Sequence, residues 1–201
     1  MLNAQHKHQF PDTPLSALGR EQAQALANRL EQMPIDAVYA SDYARALETA
    51  EIIAQKLQVQ VEPLVDLREL RRPSEIRGKE VSDLTIQKYY RQTELHYHEP
   101  DWHFSDEENF VEFRDRAIRL ENFFRNLAAQ NPGPEQVVVV SHGITLGLFI
   151  GVMAFGPQFS SHEFTKWIKF LYHTNTGLTI CECSDQGEWR METWNDQAHL
   201  G

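Results

Sequence analysis

A histidine stands in the turn between two apolar segments, at a place where α/β proteins hold their ligands. The tripeptide Ser141-His142-Gly143 follows the strand-like run Val137–Val140 and precedes residues 144–155, which are apolar enough for a packed helix. Ligands of open α/β sheets lie at the carboxyl ends of strands, and the free amides that begin a helix attract anions. The sequence therefore predicts that His142 faces an anion-binding crevice. The alternative is a core histidine bonded to a backbone carbonyl.

Arg45 is the second residue that could contact an anion, because it lies in the first turn of a predicted helix. With Asp42 as the N-cap, Arg45 takes the third helical position, where a capping box has Glu or Gln. A cation there opposes the helix dipole by ~0.3–1 kcal/mol, and a bound anion would relieve that penalty. The alternative is a surface arginine that pairs with Glu48 or another carboxylate.

Glu69 is the third candidate, and it lies in the segment 66–70 just after a predicted strand. A carboxyl group close to a phosphate site can have its pKa raised enough to act as a general acid. The alternative is a solvated loop carboxylate, since glutamates are common and this spacing is not distinctive.

The elements that must position these residues alternate between strands and helices. Such an order predicts βαβ units, and therefore an α/β fold with a mostly parallel central sheet covered by helices on both faces. No repeat or linker interrupts residues 1–201, which we interpret as a single domain. Helices are predicted over 18–33, 43–57, 108–129 and 144–155, strands over 36–40, 59–65 and 137–140, and a hairpin over 176–194.

Composition and charge exclude several classes of partner. The formal net charge of -10 argues against nucleic acid and against an anionic membrane surface, since both favour basic proteins. A local group of Arg and His could still bind a small anion. Residues 137–155 are long enough for a membrane span, but Ser141-His142-Gly143 interrupts them, so strand, turn and helix explain them better. No apolar signal region is visible at the N-terminus, and we expect a cytoplasmic protein.

Metal binding is not predicted. Cys181 and Cys183 share one face of a predicted strand, and without a second pair they are better explained as buried thiols. The histidine pairs 6/8 and 96/98 lie in polar, irregular stretches with no acidic partner at a familiar ligand spacing.

Five segments, taken in order over nearly the whole chain, resemble motifs of the histidine phosphatase superfamily, also called phosphoglycerate-mutase-like. Each motif alone is weak to moderate, and their shared order makes the resemblance strong. The segments are Asp12–Ala23, Ser41–Ala50, Leu67-Arg68-Glu69, Ser141-His142-Gly143, and the ending with Asn175-Thr176 and Asn195–Leu200.

The resemblance implies a phosphomonoester hydrolase that acts on a small phosphorylated substrate without a metal or an organic cofactor. Arg45 would bind the phosphoryl oxygens, His142 would donate a hydrogen bond to them, and Asn3 would contact the phosphate. Glu69 would protonate the leaving group and later deprotonate water. In this family the phosphoryl group passes first to a histidine of an Arg-His-Gly motif on the first strand.

That Arg-His-Gly motif is where this sequence departs from the family, because the tripeptide does not occur in it. If Asn3 matches the family's asparagine, the attacking histidine would lie three residues before Met1, and its strand before that. His6 and His8 do not replace it, since neither follows a buried strand or an arginine. We therefore expect a chain that lacks its N-terminal first strand, leaving two strand edges unpaired, and that is inactive as it stands.

Three alternatives to a phosphatase stay open. A pseudophosphatase would bind a phosphorylated ligand through Arg45 and His142 without turnover, and a structural domain would keep only a relic pocket. A phosphoglycerate-mutase-type phosphotransferase would need a cap over the site, for which residues 71–109 are the candidate segment. The substrate stays open among sugar phosphates, nucleotide-pathway metabolites and phosphoproteins.

Overall fold

Three short parallel strands form the centre of the fold. The computed structural model describes residues 10, 12–130 and 133–201, so Asn3, His6 and His8 lie outside the described residues. The strands are β1 (Ala37–Ala40), β2 (Val61–Pro63) and β3 (Val137–Val140), and their order in the sheet is β2-β1-β3. All three run in the same direction. The predicted α/β class with a parallel sheet is confirmed.

The described residues form six α-helices. The sequence anticipated α1, α2, α4 and α5 within a few residues, but α6 was not anticipated. Ser160 and Glu163 begin α6 with a reciprocal capping box. The helices are α1 (Ala17–Leu30), α2 (Ala44–Leu57), α3 (Leu84–Leu95), α4 (Phe110–Ala128), α5 (Gly143–Phe155) and α6 (Ser161–Phe170).

Alternation along β1 places helices on both faces of the parallel sheet, as predicted. Val38 and Ala40 belong to one buried cluster, together with residues of α1 and α2 such as Leu30 and Ile53. Tyr39 points to the opposite face and belongs to a second cluster with residues of α4 and α5, among them Phe124 and Phe149. The two clusters hold the strand ends in place.

The middle segment forms short elements, in line with its irregular sequence. Between residues 71 and 109 the chain makes a 3₁₀ turn at Ser74–Ile76 and helix α3. These elements share a small apolar cluster of Ile76, Ile86 and Tyr89, with Phe104 packed against it. The role of this segment as a cap stays a prediction.

The predicted hairpin forms a separate antiparallel sheet of β4 (Leu178–Cys183) and β5 (Trp189–Asp196). Cys181 and Cys183 are free, partly buried thiols, and burial raises the pKa of both. In the part of the chain that the structure describes, no group of three His, Cys, Asp or Glu side chains could hold a metal ion. No helix among the same residues is long and apolar enough to cross a bilayer.

Candidate phosphate site

The candidate residues meet where the three parallel strands end. Ser41 directly follows β1, and Glu69 lies in the loop after β2. His142 lies two residues after β3 and is the N-cap residue of helix α5, without a capping bond from its side chain. Because parallel strands end at one edge of their sheet, residues far apart in the sequence become neighbours there. Arg45 reaches the same edge from the first turn of α2.

His142 is buried and bonded at both ring nitrogens. Its Nδ1 lies 3.0 Å from Arg45 Nη2, and its Nε2 lies 2.9 Å from Ser41 Oγ. Because a guanidinium group can only donate, Nδ1 must accept, so the neutral ring carries its proton on Nε2 and donates it to Ser41. Burial lowers the pKa of His142 to about 4, the Arg45 charge adds to this effect, and Glu69 opposes it.

These contacts overturn the alternative of a core histidine bonded to a backbone carbonyl. Both ring partners are side chains, and one of them is the Arg45 guanidinium. The tautomer also means that, in this state, Nδ1 of His142 accepts a hydrogen bond. It becomes a donor to phosphate when the ring gains a proton, or when the neutral ring changes tautomer and Nε2 accepts from the Ser41 hydroxyl.

Arg45 is directed into the site and away from Glu48. It donates from Nη2 to His142 and from Nη1 to the Phe10 carbonyl at 3.3 Å, while its buried Nε has no partner among the described residues. Burial lowers the pKa of Arg45, and the negative charge of Glu69 opposes that change. Glu48 instead accepts from the Leu15 amide at 3.0 Å and from Arg20 Nε. The predicted alternative of a pair with Glu48 is wrong.

The prediction that Asp42 caps helix α2 is also wrong. Tyr43 is the N-cap, no side chain caps the helix, and Arg45 takes the second helical position. Asp42 is drawn away because Arg68 binds it with two hydrogen bonds, of 2.7 and 2.5 Å. The Arg68 bonds also lower the pKa of Asp42. A competing arginine on the β2–α3 connection thus overrides the local capping preference.

Glu69 is a buried carboxylate at the start of α5, with 7% of its surface exposed, so the solvated-loop alternative is wrong. Its Oε1 accepts from the Leu70 amide at 2.9 Å and from the Thr145 amide at 3.2 Å, and it lies 3.1 Å from the Thr145 hydroxyl. Burial raises the pKa of Glu69, while His142, the Leu70 amide and the Arg72 charge lower it by more. The net direction is downward, opposite to the rise that an acid catalyst needs.

Several residues of the site were not anticipated from the sequence. Ser41 holds the His142 ring, Ser141 Oγ donates to the Leu67 carbonyl at 2.7 Å, and Thr145 Oγ1 donates to the Arg68 carbonyl at 2.8 Å. His173 is partly buried, and its Nε2 has no partner in the described chain. The motif positions of Ser41 and Ser141, directly after strands, were the only signal that could have indicated them.

Arg45 and His142 are in direct contact, and Glu69 lies on the first amides of the helix that His142 begins, close enough to affect the pKa of both. Asn3 lies outside the described residues. The site offers a guanidinium, a neutral imidazole and a carboxylate set on the first amides of a helix. This set can bind an oxyanion and exchange a proton beside it.

Comparison with known proteins decides the family. A sequence profile of the histidine phosphatase superfamily (branch 1) matches residues 3–197. The chain belongs to the histidine phosphatase superfamily. It is 30% identical over 208 residues to phosphoglycerate mutase-like protein 4 of Arabidopsis thaliana. That alignment covers 98% of this chain and 81% of the relative. It is 28% identical over 193 residues to a probable phosphoglycerate mutase GpmB of Proteus mirabilis, covering 94% and 84%.

Two solved structures share the fold. Bacillus stearothermophilus YhfR superposes with a TM-score of 0.78 at 23% identity, covering 98% of this chain and 92% of the other. A mycobacterial glucosyl-3-phosphoglycerate phosphatase superposes with a TM-score of 0.73 at 23% identity, covering 96% and 94%. At this identity the likeness concerns the fold alone, so the roles of Arg45, Glu69 and His142 stay predictions.

Proposed function

We propose that this chain binds a small phosphorylated metabolite and belongs to an enzyme that hydrolyses its phosphomonoester through a phosphohistidine. The observation that carries the proposal is the state of Arg45. Its guanidinium is directed at a neutral histidine and, among the described residues, forms no pair with a carboxylate. An arginine held this way has donors left for an oxyanion, which it can bind with two parallel hydrogen bonds.

His142 would become protonated when phosphate binds. Its Nδ1 accepts from Arg45 at 3.0 Å, so an oxyanion that binds the Arg45 donors would replace that contact. A nearby negative charge favours the protonated ring, which could then donate from Nδ1 to a phosphoryl oxygen and stabilise charge in the transition state.

Glu69 would become an acid only in the complex. Its pKa is lowered in the free protein, but a phosphate dianion beside it is a like charge that raises the pKa of a carboxyl group. The protonated Glu69 would then donate to the leaving alkoxide and later accept a proton from water. General acid–base catalysis of this kind contributes a factor of roughly 10²–10⁴.

The attacking histidine is part of the proposal and not of the printed sequence, which contains no Arg-His-Gly tripeptide. We place it in the reading frame ahead of Met1, because the resemblance at Asn3 puts it three residues upstream. The strand that would carry it belongs beside β3, which pairs with β1 on one side and with no other described strand.

Two other functions stay open. A pseudophosphatase would bind a phosphorylated ligand through Arg45 and His142 and release it unchanged. The names of the curated relatives favour a phosphoglycerate mutase, in which an acceptor other than water takes the phosphoryl group.

Binding is the first test, and it uses the chain as it is. Inorganic phosphate is titrated into the wild type, Arg45→Gln and the control Arg20→Gln, whose exposed arginine pairs with Glu48. A hydrogen bond to a charged group contributes about 1.5–3 kcal/mol, so Arg45→Gln should weaken binding roughly 10- to 100-fold. Equal affinities of the wild type and Arg45→Gln would refute the assignment of the phosphate site.

Turnover is the second test, and it uses the protein extended by the upstream codons. A panel of phosphorylated metabolites is screened for phosphate release, and the active substrate is tested again after the upstream histidine is changed to alanine. Release that depends on this histidine supports the phosphatase, and isomerisation of a phosphoglycerate without release supports the mutase. Binding without any turnover supports the pseudophosphatase and refutes the enzyme.

A further inference from the structure

The loop that carries Glu69 is held from the side of α4 by Arg116, whose donors are directed at the loop backbone and at Glu108. Arg116 lies on α4 and is 8% exposed. Its Nη1 donates to the carbonyl oxygens of Asp66 and Arg68, at 2.6 and 2.7 Å. These carbonyls lie three residues and one residue before Glu69. A single nitrogen of Arg116 therefore fixes the backbone on the N-terminal side of Glu69.

Glu108 fixes the backbone on the C-terminal side of Glu69. Its amide donates to the Arg71 carbonyl at 3.0 Å, and its Oε2 accepts from the Arg71 amide at 3.3 Å. The same carboxylate receives Nε and Nη2 of Arg116 at 2.8 and 2.7 Å. Arg116 and Glu108 therefore touch the chain on both sides of Glu69.

The chemistry of this pair indicates a geometric role. A buried ion pair is weak evidence for stabilisation, because well-packed apolar residues often serve stability as well or better. Arg116 uses Nε, Nη1 and Nη2 at once, in the fixed planar arrangement that only a guanidinium offers. A lysine would keep the charge but could not reach both carbonyls and the carboxylate together.

We propose that Arg116 and Glu108 are positioning residues that hold the Glu69 carboxylate against the first amides of α5 and in line with the leaving group. The acid role of Glu69 rests on the proposed function, whereas the positioning itself does not. Thr145 completes the arrangement, because its hydroxyl donates to the Arg68 carbonyl and also contacts Glu69. A misplacement of about 1 Å from a distant substitution can reduce a rate on the order of 10²-fold.

The matched pair of variants is Arg116→Lys and Arg119→Lys. Arg119 lies one turn away on α4 and binds the Asp66 carboxylate at 3.0 and 2.9 Å, but its side chain is 59% exposed and makes no bond to the loop backbone. Both variants keep their charge, so a difference between them reports the geometry of the loop. Glu108→Gln is a second, milder change to the same pair.

The first measurement needs no turnover. The carboxyl pKa of Glu69 is followed by NMR in protein labelled at glutamate carbons, with the signal assigned through Glu69→Gln. Arg116→Lys should raise the pKa, because the displaced carboxylate loses its amide donors, and Arg119→Lys should leave it unchanged. Since the readout is independent of catalysis, it distinguishes failure of this inference from failure of the proposed function.

The second measurement compares leaving groups in whichever form of the protein turns over. Proton donation matters for an alkyl phosphate and hardly for p-nitrophenyl phosphate, so Arg116→Lys should slow the first ~10-fold or more and the second no more than ~3-fold. An equal loss on both substrates, equal effects of Arg116→Lys and Arg119→Lys on the pKa, or unfolding of both Arg116→Lys and Glu108→Gln would overturn the proposal.

Discussion

The buried, neutral state of His142 predicts a pH dependence of stability. Its pKa is lowered from 6.5 to about 4 in the folded protein, chiefly by burial. As the pH falls through 6.5 the unfolded chain takes up this proton first, so stability present above pH 6.5 is lost towards pH 4. Integrating the linkage gives a loss of about 2 kcal/mol between pH 7 and pH 5, and about 3 kcal/mol by pH 4.

The substitution that isolates this effect is His142→Gln. A glutamine amide can accept from Arg45 and donate to Ser41, as the neutral ring does, but it does not titrate. Urea unfolding, followed by tryptophan fluorescence at pH 7, 6 and 5, gives the free energy of unfolding of the wild type and the variant. His98→Gln, a change at a histidine whose side chain is 62% exposed, is the control.

The wild-type advantage over His142→Gln should shrink by about 2 kcal/mol from pH 7 to pH 5. Burial raises the pKa of Glu69 and the His142 charge lowers it, with a net lowering from 4.5, so Glu69 titrates mostly below this window in the wild type. His142→Gln removes that contribution of His142, and the comparison is therefore confined to pH 7 to pH 5. Parallel pH curves of the wild type and His142→Gln would refute the reasoning, as would a wild type that gains stability relative to the variant in acid.

Three further predictions concern single side chains. Glu69→Gln should keep or improve phosphate binding, because it removes a negative charge beside the phosphate. In the form that turns over it should slow alkyl phosphate hydrolysis by roughly 10²-fold or more, and full activity would exclude Glu69 as the acid. Asp36→Ala should lower the free energy of unfolding by about 1–3 kcal/mol, because Asp36 Oδ2 accepts from the amides of Glu135 and Gln136 at 2.8 and 2.9 Å. The control is Asp185→Ala in the hairpin turn. Gly151→Ala should cost about 1–3 kcal/mol in urea unfolding, because a Cβ there would lie 2.4 Å from Phe159 Cε1; an unchanged midpoint would contradict the packing of α5 against the segment before α6.

Patterns with one dominant cause could be predicted from the sequence. The valine run of β3, the apolar stripes of α1, α2 and α4, and the hairpin turn each follow from the period of apolar residues and from local turn residues. Such signals need no knowledge of distant parts of the chain. The three candidate residues were singled out by their places after predicted strands or in the first turn of a predicted helix, but each kept an alternative until the resemblance to the family implied its role.

The errors came from partners that are distant in the sequence. Asp42 was expected to cap α2, but Arg68 lies 26 residues away and binds it instead. For Glu69 the alternative of a solvated loop carboxylate was wrong, because the amides of α5, about 75 residues further on, bind its carboxylate in a buried position. Arg116, 47 residues after Glu69, was not considered at all. A periodic pattern cannot indicate which side chain will meet which backbone group across such separations.

The position of the Glu69 carboxylate on the first amides of α5 affects the enthalpy of phosphate binding that calorimetry measures. At neutral pH the Arg45 charge is offset by the ionised Glu69, and His142 carries none. A phosphate dianion entering among these groups favours protonation of both His142 and Glu69, so protons must come from the solution. The buffer supplies those protons, and its own heat of ionisation enters the calorimetric signal. The apparent enthalpy of phosphate binding should therefore differ between phosphate-free buffers of low and high ionisation enthalpy, and the slope counts the protons that the site takes up.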